Sequence, residues 1–254
     1  MAVDIGNTQT VLGLFDGEEP LGKWRIATEM HKTADELAVF FAGLFALDGL
    51  RLHEVDAVIV SSVVPDLTRS YRNLASEVFG VPFHAVTSEI ETGLDNRYDD
   101  PEAVGADRIV NAVAAGKHYG FPAIIVDIGT ATTVEAVDGE ACYLGGAILT
   151  GLYVSLEALI SRTAKLPSVD LEEAPPRVIA TNTPDSIRSG FIYGYAGAVD
   201  ALIRRSRDEL GEDGVGVIAT GGPAGTIVPY CHEIQHFDPD LTLKGLLALY
   251  EMNA

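Results

Sequence analysis

Asp127-Ile128-Gly129-Thr130-Ala131-Thr132-Thr133 lies mid-chain, between the apolar run Ala123-Ile124-Ile125-Val126 and the segment Val134-Glu135-Ala136-Val137. The order apolar run, glycine turn, β-branched run reads as a strand, a tight polar turn and a second strand. The same pattern occurs at the N-terminus, as Asp4-Ile5-Gly6-Asn7-Thr8-Gln9-Thr10 followed by Val11-Leu12-Gly13-Leu14-Phe15. Two copies of Asp-x-Gly-x-x-x-Thr, one in each half, predict a duplicated fold with one acidic, glycine-turned hairpin per half.

The parts of such a hairpin define what it can hold. Glycine lets the backbone take positive φ and approach a ligand with no Cβ in the way. Successive turn amides and threonine hydroxyls can cradle phosphate oxygens. The Asp that ends the first strand of each copy is placed to hold a cation, or cation-bound water, beside them. No Gly-Lys-Ser/Thr follows, and the next element is a strand, so this is not a Walker loop. One copy alone reads equally well as a β-turn in which Asp and Gly serve only the turn. The repeat is what points to a ligand.

At 254 residues with 47% apolar and 21% charged residues, the chain has the composition of a globular protein with a sizeable core. The repeat divides it into two expected halves, 1–117 and 118–254. A net charge of −20 argues against nucleic acid and anionic membranes as partners. Any anionic substrate must then be met by a few well-placed cations and amides. No signal-peptide pattern is seen, and no apolar run approaches the roughly 18 residues that span a bilayer. Cys142 and Cys231 are too few for a disulfide framework, so a cytoplasmic setting is expected. Cys231, His232 and His236 lack a second ligand group at metal-binding spacing, and a structural role is expected for them.

In chain order, strands are predicted over Thr10–Phe15 and Leu21–Ile26, with a turn at Asp16-Gly17. Thr33-Ala34-Asp35-Glu36 is a capping box that opens a helix with Leu37, Phe40, Phe41 and Leu44 on one face. Ala57–Val64 reads as a buried parallel strand. A helix over Asp66–Val78, stopped by Gly80, and a strand over Phe83–Val86 follow. The second half repeats the opening: Asp138-Gly139 is placed like Asp16-Gly17, before a strand over Ala141–Ile148. Helices are predicted over Leu152–Ala164 and Pro184–Leu210, the latter capped by Thr183. Its Gly190, Gly194 and Gly197 would let another element pack close. A strand over Val215–Thr220, a Gly221-Gly222 turn and a helix over Thr242–Met252 complete the chain.

Between the halves, Gly105-Ala106-Asp107-Arg108 leads into a helix that closes near Gly120. Asp107 falls in the first turn, where free amides and the helix dipole favour its ionised form. A carboxylate held this way can accept a proton from a substrate hydroxyl, and Arg108 could grip an anion. Acidic first-turn residues are also common as simple helix stabilisers, and that reading stays open on these residues alone.

Taken together, these motifs make the sequence resemble the type III pantothenate kinases, members of the sugar-kinase and actin superfamily. The resemblance runs essentially end to end. It includes both hairpins, Ser61-Ser62-Val63-Val64-Pro65, Gly93-Leu94 with Arg97-Tyr98, Gly105-Ala106-Asp107-Arg108, Leu144-Gly145-Gly146-Ala147-Ile148, Ala164-Lys165-Leu166-Pro167, Asn182-Thr183 and Ala219-Thr220-Gly221-Gly222. It implies an α/β fold of duplicated actin-like (ribonuclease H-like) domains, each a mixed sheet flanked by helices, with the active-site cleft between them. It also implies transfer of the ATP γ-phosphate to the primary hydroxyl of pantothenate, giving 4′-phosphopantothenate, the first step of coenzyme A synthesis. By position, Asp4, Ile5, Gly6, Asn7, Thr8, Gln9, Thr10 and Val11 would bind ATP, helped by Thr130, with Gly221 and Gly222 near the adenosine. Asp127 would hold a monovalent cation, potassium or ammonium, and a divalent ion, usually Mg²⁺, would accompany the nucleotide. Asp107 would be the general base, and Tyr98, Gly105, Ala106, Asp107, Arg108 and Thr183 would contact pantothenate. A homodimer is implied. Thr150-Gly151-Leu152-Tyr153 departs from the family's Pro-Gly-Ile/Leu-Gly and sets a bulky residue where a small one is usual. A sugar kinase of the same superfamily, a regulator that has lost catalysis, and an actin-like filament protein are the alternatives; none accounts as well for Tyr98 and Gly105-Ala106-Asp107-Arg108.

Overall fold

The computed structural model describes residues 1–254. They form two compact units, Met1–Gly93 with Asp99–Lys117 and Leu241–Ala254, and Leu94–Tyr98 with His118–Asp240. In chain order the elements are β1 (Ala2–Ile5), β2 (Gln9–Asp16), β3 (Glu19–Ala27), α1 (Ala34–Leu47), β4 (Val58–Ser62), α2 (Pro65–Asn73), β5 (Phe83–Ala85), β6 (Asp95–Asn96) and α3 (Ala106–Tyr119). They continue as β7 (Ala123–Ile128), β8 (Ala131–Val137), β9 (Cys142–Thr150), α4 (Leu152–Ser161), α5 (Thr183–Leu210), β10 (Gly216–Thr220), α6 (Ala224–Ile227), β11 (His236–Phe237) and α7 (Leu241–Asn253).

The first unit holds a sheet of order β3-β2-β1-β4-β5, in which β1, β2 and β3 form an antiparallel meander and β4 and β5 add in parallel. The second unit repeats it as β9-β8-β7-β10-β11, with β6 added beside β9. The duplication is therefore one of topology as well as of motif.

Strand periodicity assigns the faces. Val3 and Ile5 point into a core with Leu37, Phe41 and Phe45 of α1 and Leu67 and Tyr71 of α2. Ile124, Val126 and Ile128 occupy the same places in the second unit, against Leu152 and Leu156 of α4 and Ile192, Val199 and Ile203 of α5. Each such side chain contributes about 1.5–3 kcal/mol by leaving water. Asp4 and Asp127, one residue out of phase, face the opposite side of their sheets. On Asp4's face of the first sheet lies α7, with Leu243 against Gly13, the register partner of Ala2. In turn α7 packs on α3, where Thr242 donates a hydrogen bond to Asn111 at 2.8 Å and a Cβ on Gly245 would collide with Val110.

The capping box forms as expected: Glu36 N–H donates to Thr33 Oγ1 at 3.3 Å and Thr33 N–H to Glu36 Oε2 at 2.8 Å. Three local expectations are corrected. Beyond Asn73 the chain continues as a π-helical turn, Leu74–Phe79, ended by Gly80 at φ +70°. In the wider turn Leu74 and Ala75 are buried and Val78, the expected last helical residue, is 39% exposed. Asn182, not Thr183, caps α5, accepting from Asp185 N–H at 2.9 Å; Thr183 is the first helical residue. Finally, nothing lies within 4 Å of where a Cβ on Gly190, Gly194 or Gly197 would stand, and all three are exposed on α5.

Candidate functional site

The first unit carries the N-terminal hairpin and Asp107. Asp4, half-buried at the end of β1, pairs with Val11 on β2 and Ser61 on β4. The turn closes by Gly6 N–H donating to the Gln9 carbonyl at 3.0 Å. At the end of β3, Thr28 donates its hydroxyl to the Gly6 carbonyl at 2.8 Å and its N–H to the Thr8 carbonyl at 3.0 Å. Asn7, Thr8 and Gln9 are left exposed at the tip, while Thr10 is 1% exposed and shares a 3.0 Å hydroxyl contact with Thr28.

Asp107 stands in the first turn of α3. Its Oδ1 accepts the Arg108 N–H at 2.9 Å and lies where a Cβ on Gly105 would be, 2.5 Å away. Gly105 is thus required for the carboxylate to fold back over the helix start. Arg108 is 8% exposed, so it is no solvated surface cation.

The second unit carries Asp127, Thr130, Gly221, Gly222, Tyr98 and Thr183. Asp127 pairs with Thr133 on β8 and Thr220 on β10. Three glycines let backbone close around it. Gly221 has φ +100°, and a Cβ there would strike the Ile128 carbonyl and come within 2.6 Å of Asp127 Oδ1. A Cβ on Gly129 would be 3.3 Å from the Ala131 carbonyl, which accepts the Gly129 N–H at 2.9 Å. Gly151 donates its N–H to the Thr130 carbonyl at 3.0 Å, and a Cβ there would collide with the Gly129 and Thr130 carbonyls. Gly151 survives within the departing Thr150-Gly151-Leu152-Tyr153, and the bulky Tyr153 turns outward at 47% exposed. Beneath the turn, the Tyr195 hydroxyl lies 2.7 Å from Thr132 Oγ1 and donates to the Thr150 carbonyl at 2.8 Å. Burial pushes its phenol above the ordinary value.

Tyr98 follows β6, which is held to β9 by Arg97 N–H donating to the Tyr143 carbonyl at 2.9 Å. Its ring fills the space that a side chain on Gly145 would need. Thr183, exposed at the head of α5, shares with Leu166, Ile187, Gly190, Phe191 and Tyr195 the lining of a largely apolar cavity of about 420 Å³. Elsewhere in the unit, Asp200 accepts the N–H groups of His232 at 2.9 Å and Glu233 at 3.1 Å, while burial pushes the Cys231 thiol up to about 12.

The residues fit the ions that the resemblance implies. Near Gly221 the Asp127 carboxylate and the Ile128 carbonyl come together, hard oxygen donors of the type that hold hard cations. No three His, Cys, Asp or Glu side chains gather as a metal cluster. Several supporting groups escaped the sequence reading: Gly151, Tyr195, and the buried Tyr143 and Glu135 beside Tyr98. Each acts on a neighbouring element of the fold, a contact that the linear pattern does not show.

Comparison with known proteins agrees with this architecture. A structure described as a Baf family transcriptional activator from Campylobacter jejuni superposes with TM-score 0.62 at 17% identity, covering 98% of this chain and 96% of that one. A 2-dehydro-3-deoxygalactonokinase structure from Sinorhizobium meliloti gives TM-score 0.56 at 13% identity, covering 98% and 95%. These show the fold. A protein from Rubrobacter xylanophilus named type III pantothenate kinase is 66% identical over 100% of this chain and 98% of its own. One of the same name from Geobacter sulfurreducens is 46% identical over 100% and 98%. The family model described as type III pantothenate kinase matches residues 1–205, and the chain belongs to that family.

Proposed function

We propose that Asp107 is the general base of the reaction. As a type III pantothenate kinase, the chain transfers the γ-phosphoryl group of ATP to pantothenate in coenzyme A biosynthesis. The observation that carries the proposal is the Gly105–Asp107 contact, which fixes a half-buried carboxylate at a helix start. Phosphoryl transfer depends on positioning and charge neutralisation more than on covalent chemistry. Asp107 orients the primary hydroxyl of pantothenate and accepts its proton as the oxygen bonds to the γ-phosphorus. The bond from that phosphorus to the bridging oxygen breaks and ADP leaves.

Asp4 through Val11, with Thr130, Gly221 and Gly222, hold ATP: turn amides and hydroxyls meet the phosphates, and the glycines admit the adenosine. Tyr98, Gly105, Ala106, Arg108 and Thr183 hold pantothenate, Arg108 facing its carboxylate. Asp127 with the neighbouring carbonyls holds potassium or ammonium, and Asp4 faces Mg²⁺. These ions supply positive charge that neutralises the triphosphate in a protein of net charge −20. The open face of α5 at Gly190, Gly194 and Gly197, together with exposed Ile148, Val154 and Leu159, supports a homodimer. No helix is long and apolar enough to cross a membrane, and a cytoplasmic setting fits the free cysteines.

The test is ATP-dependent formation of 4′-phosphopantothenate with potassium, ammonium or sodium as sole monovalent ion, with Asp107→Asn alongside. Turnover that needs potassium or ammonium and falls at least ~10²-fold in the variant is expected. An Asp107→Asn enzyme with unchanged kcat would remove Asp107 from the role.

A further inference from the structure

A buried carboxylate inside the second sheet lacks a role in the chemistry above. Glu135 on β8 is 1% exposed, and Tyr143 on β9, fully buried, donates its hydroxyl to Glu135 Oε2. Burying a carboxylate is costly even when it is hydrogen-bonded, and an apolar pair would fill the same space more cheaply. Stability alone therefore does not account for this pair.

The surroundings of Tyr143 supply a reason. Its ring centroid lies 6.4 Å from that of Tyr98, tilted by 46°. Asp95 N–H donates to the Ala141 carbonyl at 3.0 Å and Arg97 N–H to the Tyr143 carbonyl at 2.9 Å, which fixes the backbone leading into Tyr98. Tyr98 N–H donates to Asn96 Oδ1 at 3.1 Å. Two residues along β9 from Tyr143, Gly145 takes φ +105°, and a Cβ there would lie 2.9 Å from Cδ2 and Cε2 of Tyr98. Tyr98 is thus pinned through its backbone, through the ring of Tyr143 and through the bare Cα of Gly145.

We propose that Glu135, Tyr143 and Gly145 form a seat that fixes the Tyr98 ring as one wall of the pantothenate site. Glu135 and Tyr143 are positioning residues: Glu135 orients Tyr143, and Tyr143 sets the angle of Tyr98. The inference rests on the reading that Tyr98 contacts pantothenate.

The experiment is calorimetric binding of pantothenate, together with steady-state KM and kcat, for Tyr98→Ala, Tyr143→Phe, Glu135→Gln, Gly145→Ala and the double variant Tyr98→Ala with Tyr143→Phe. Thermal unfolding reports folding. Tyr143→Phe and Glu135→Gln are expected to weaken pantothenate binding about tenfold, because misplacing a binding group is felt well beyond the lost hydrogen bond. The KM for ATP should stay within about twofold, and the double variant should bind no worse than Tyr98→Ala. A purely structural pair would lower the unfolding temperature without this selectivity for one substrate. If Tyr98→Ala weakens binding but Tyr143→Phe does not, or adds to it in full, the seat is overturned while the substrate reading stands. If Tyr98→Ala leaves pantothenate binding unchanged, the substrate reading fails and takes the seat with it. Should Glu135→Gln not fold, Tyr143→Phe decides, since it deletes one hydroxyl and keeps the ring.

Discussion

In the first hairpin, Thr28 ties down the Gly6 and Thr8 carbonyls and leaves the side chains of Asn7, Thr8 and Gln9 exposed at the tip. In the second, the turn is one residue tighter, since Asp4 pairs with Val11 but Asp127 with Thr133. Gly151 and Gly221 bring backbone against that second turn so closely that neither has room for a Cβ. One ancestral device has therefore acquired two surroundings. On the proposed assignment, an open tip with its acceptors already satisfied would leave its donors to a phosphate chain that must arrive and leave in every cycle. On the same assignment, a turn closely walled at Gly151 and Gly221 would suit an ion that stays.

Exchanging the two carboxylates for amides tests this division. Asp4→Asn should reduce kcat on the order of 10²-fold and weaken the response to Mg²⁺, because it removes charge stabilisation beside the transferring group. Asp127→Asn should instead raise the activating concentration of potassium at least tenfold, roughly the loss seen when a metal site is impaired, and leave the Mg²⁺ response near normal. Steady-state titrations of each ion against each variant make the measurement. If both variants showed the same ion profile, the two hairpins would share one task and the comparison would collapse.

How much of this was legible in the sequence follows from how local each feature is. The hairpins, the capping box at Thr33 and the Gly105–Asp107 helix start are specified by residues within a few positions, and the linear pattern carries them. Alignment of the two motifs by eye matches Thr10 with Thr133. The structure instead pairs Thr10 with Ile5 and Thr132 with Ile128, and it is Thr10 and Thr132 that are buried, at 1% and 0% exposed. A one-residue difference in turn length is invisible until register is known. β6 and β11, two residues each, have no pattern of their own and exist through their neighbours' hydrogen bonds. Nor does the sequence reveal that α7, last in the chain, joins the first unit through Gly245 and Val110. The seat under Tyr98 is hidden for the same reason, being assembled from two strands, β8 and β9.

The glycine cage offers the next test, on stability. Gly221→Ala puts a side chain at φ +100° and against the Ile128 carbonyl, and should cost about 3 kcal/mol. Gly6→Ala meets a single carbonyl at 3.0 Å, that of Gln9, and should cost about 1 kcal/mol or less. At ~2–4 °C per kcal/mol for a chain of this size, thermal unfolding separates the two. Equal costs would mean that the second turn is no more tightly walled than the first.

The smallest expected effect asks how far that rigidity extends toward the surface of the second unit. Glu233 lies in the segment held by Asp200 and accepts from Arg207 at 2.6 Å and Arg204 at 3.4 Å. The hydrogen bond from Arg207 is the main reason that its carboxyl titrates below the ordinary 4.5, with Arg204 assisting. A carboxylate whose folded pKa is depressed adds stability above its unfolded value, and that contribution is lost as pH falls through the folded one. Wild type should therefore lose its advantage over Glu233→Gln as the pH drops below about 4.5, and keep it from there to neutrality. Because Arg204 is half exposed and Arg207 a third exposed, solvent screening holds the difference to under about 1 kcal/mol. Unfolding temperatures of both proteins measured from pH 3 to 7 should converge at the acid end. Parallel curves across that range would show that Glu233 braces the segment through packing and not through its charge.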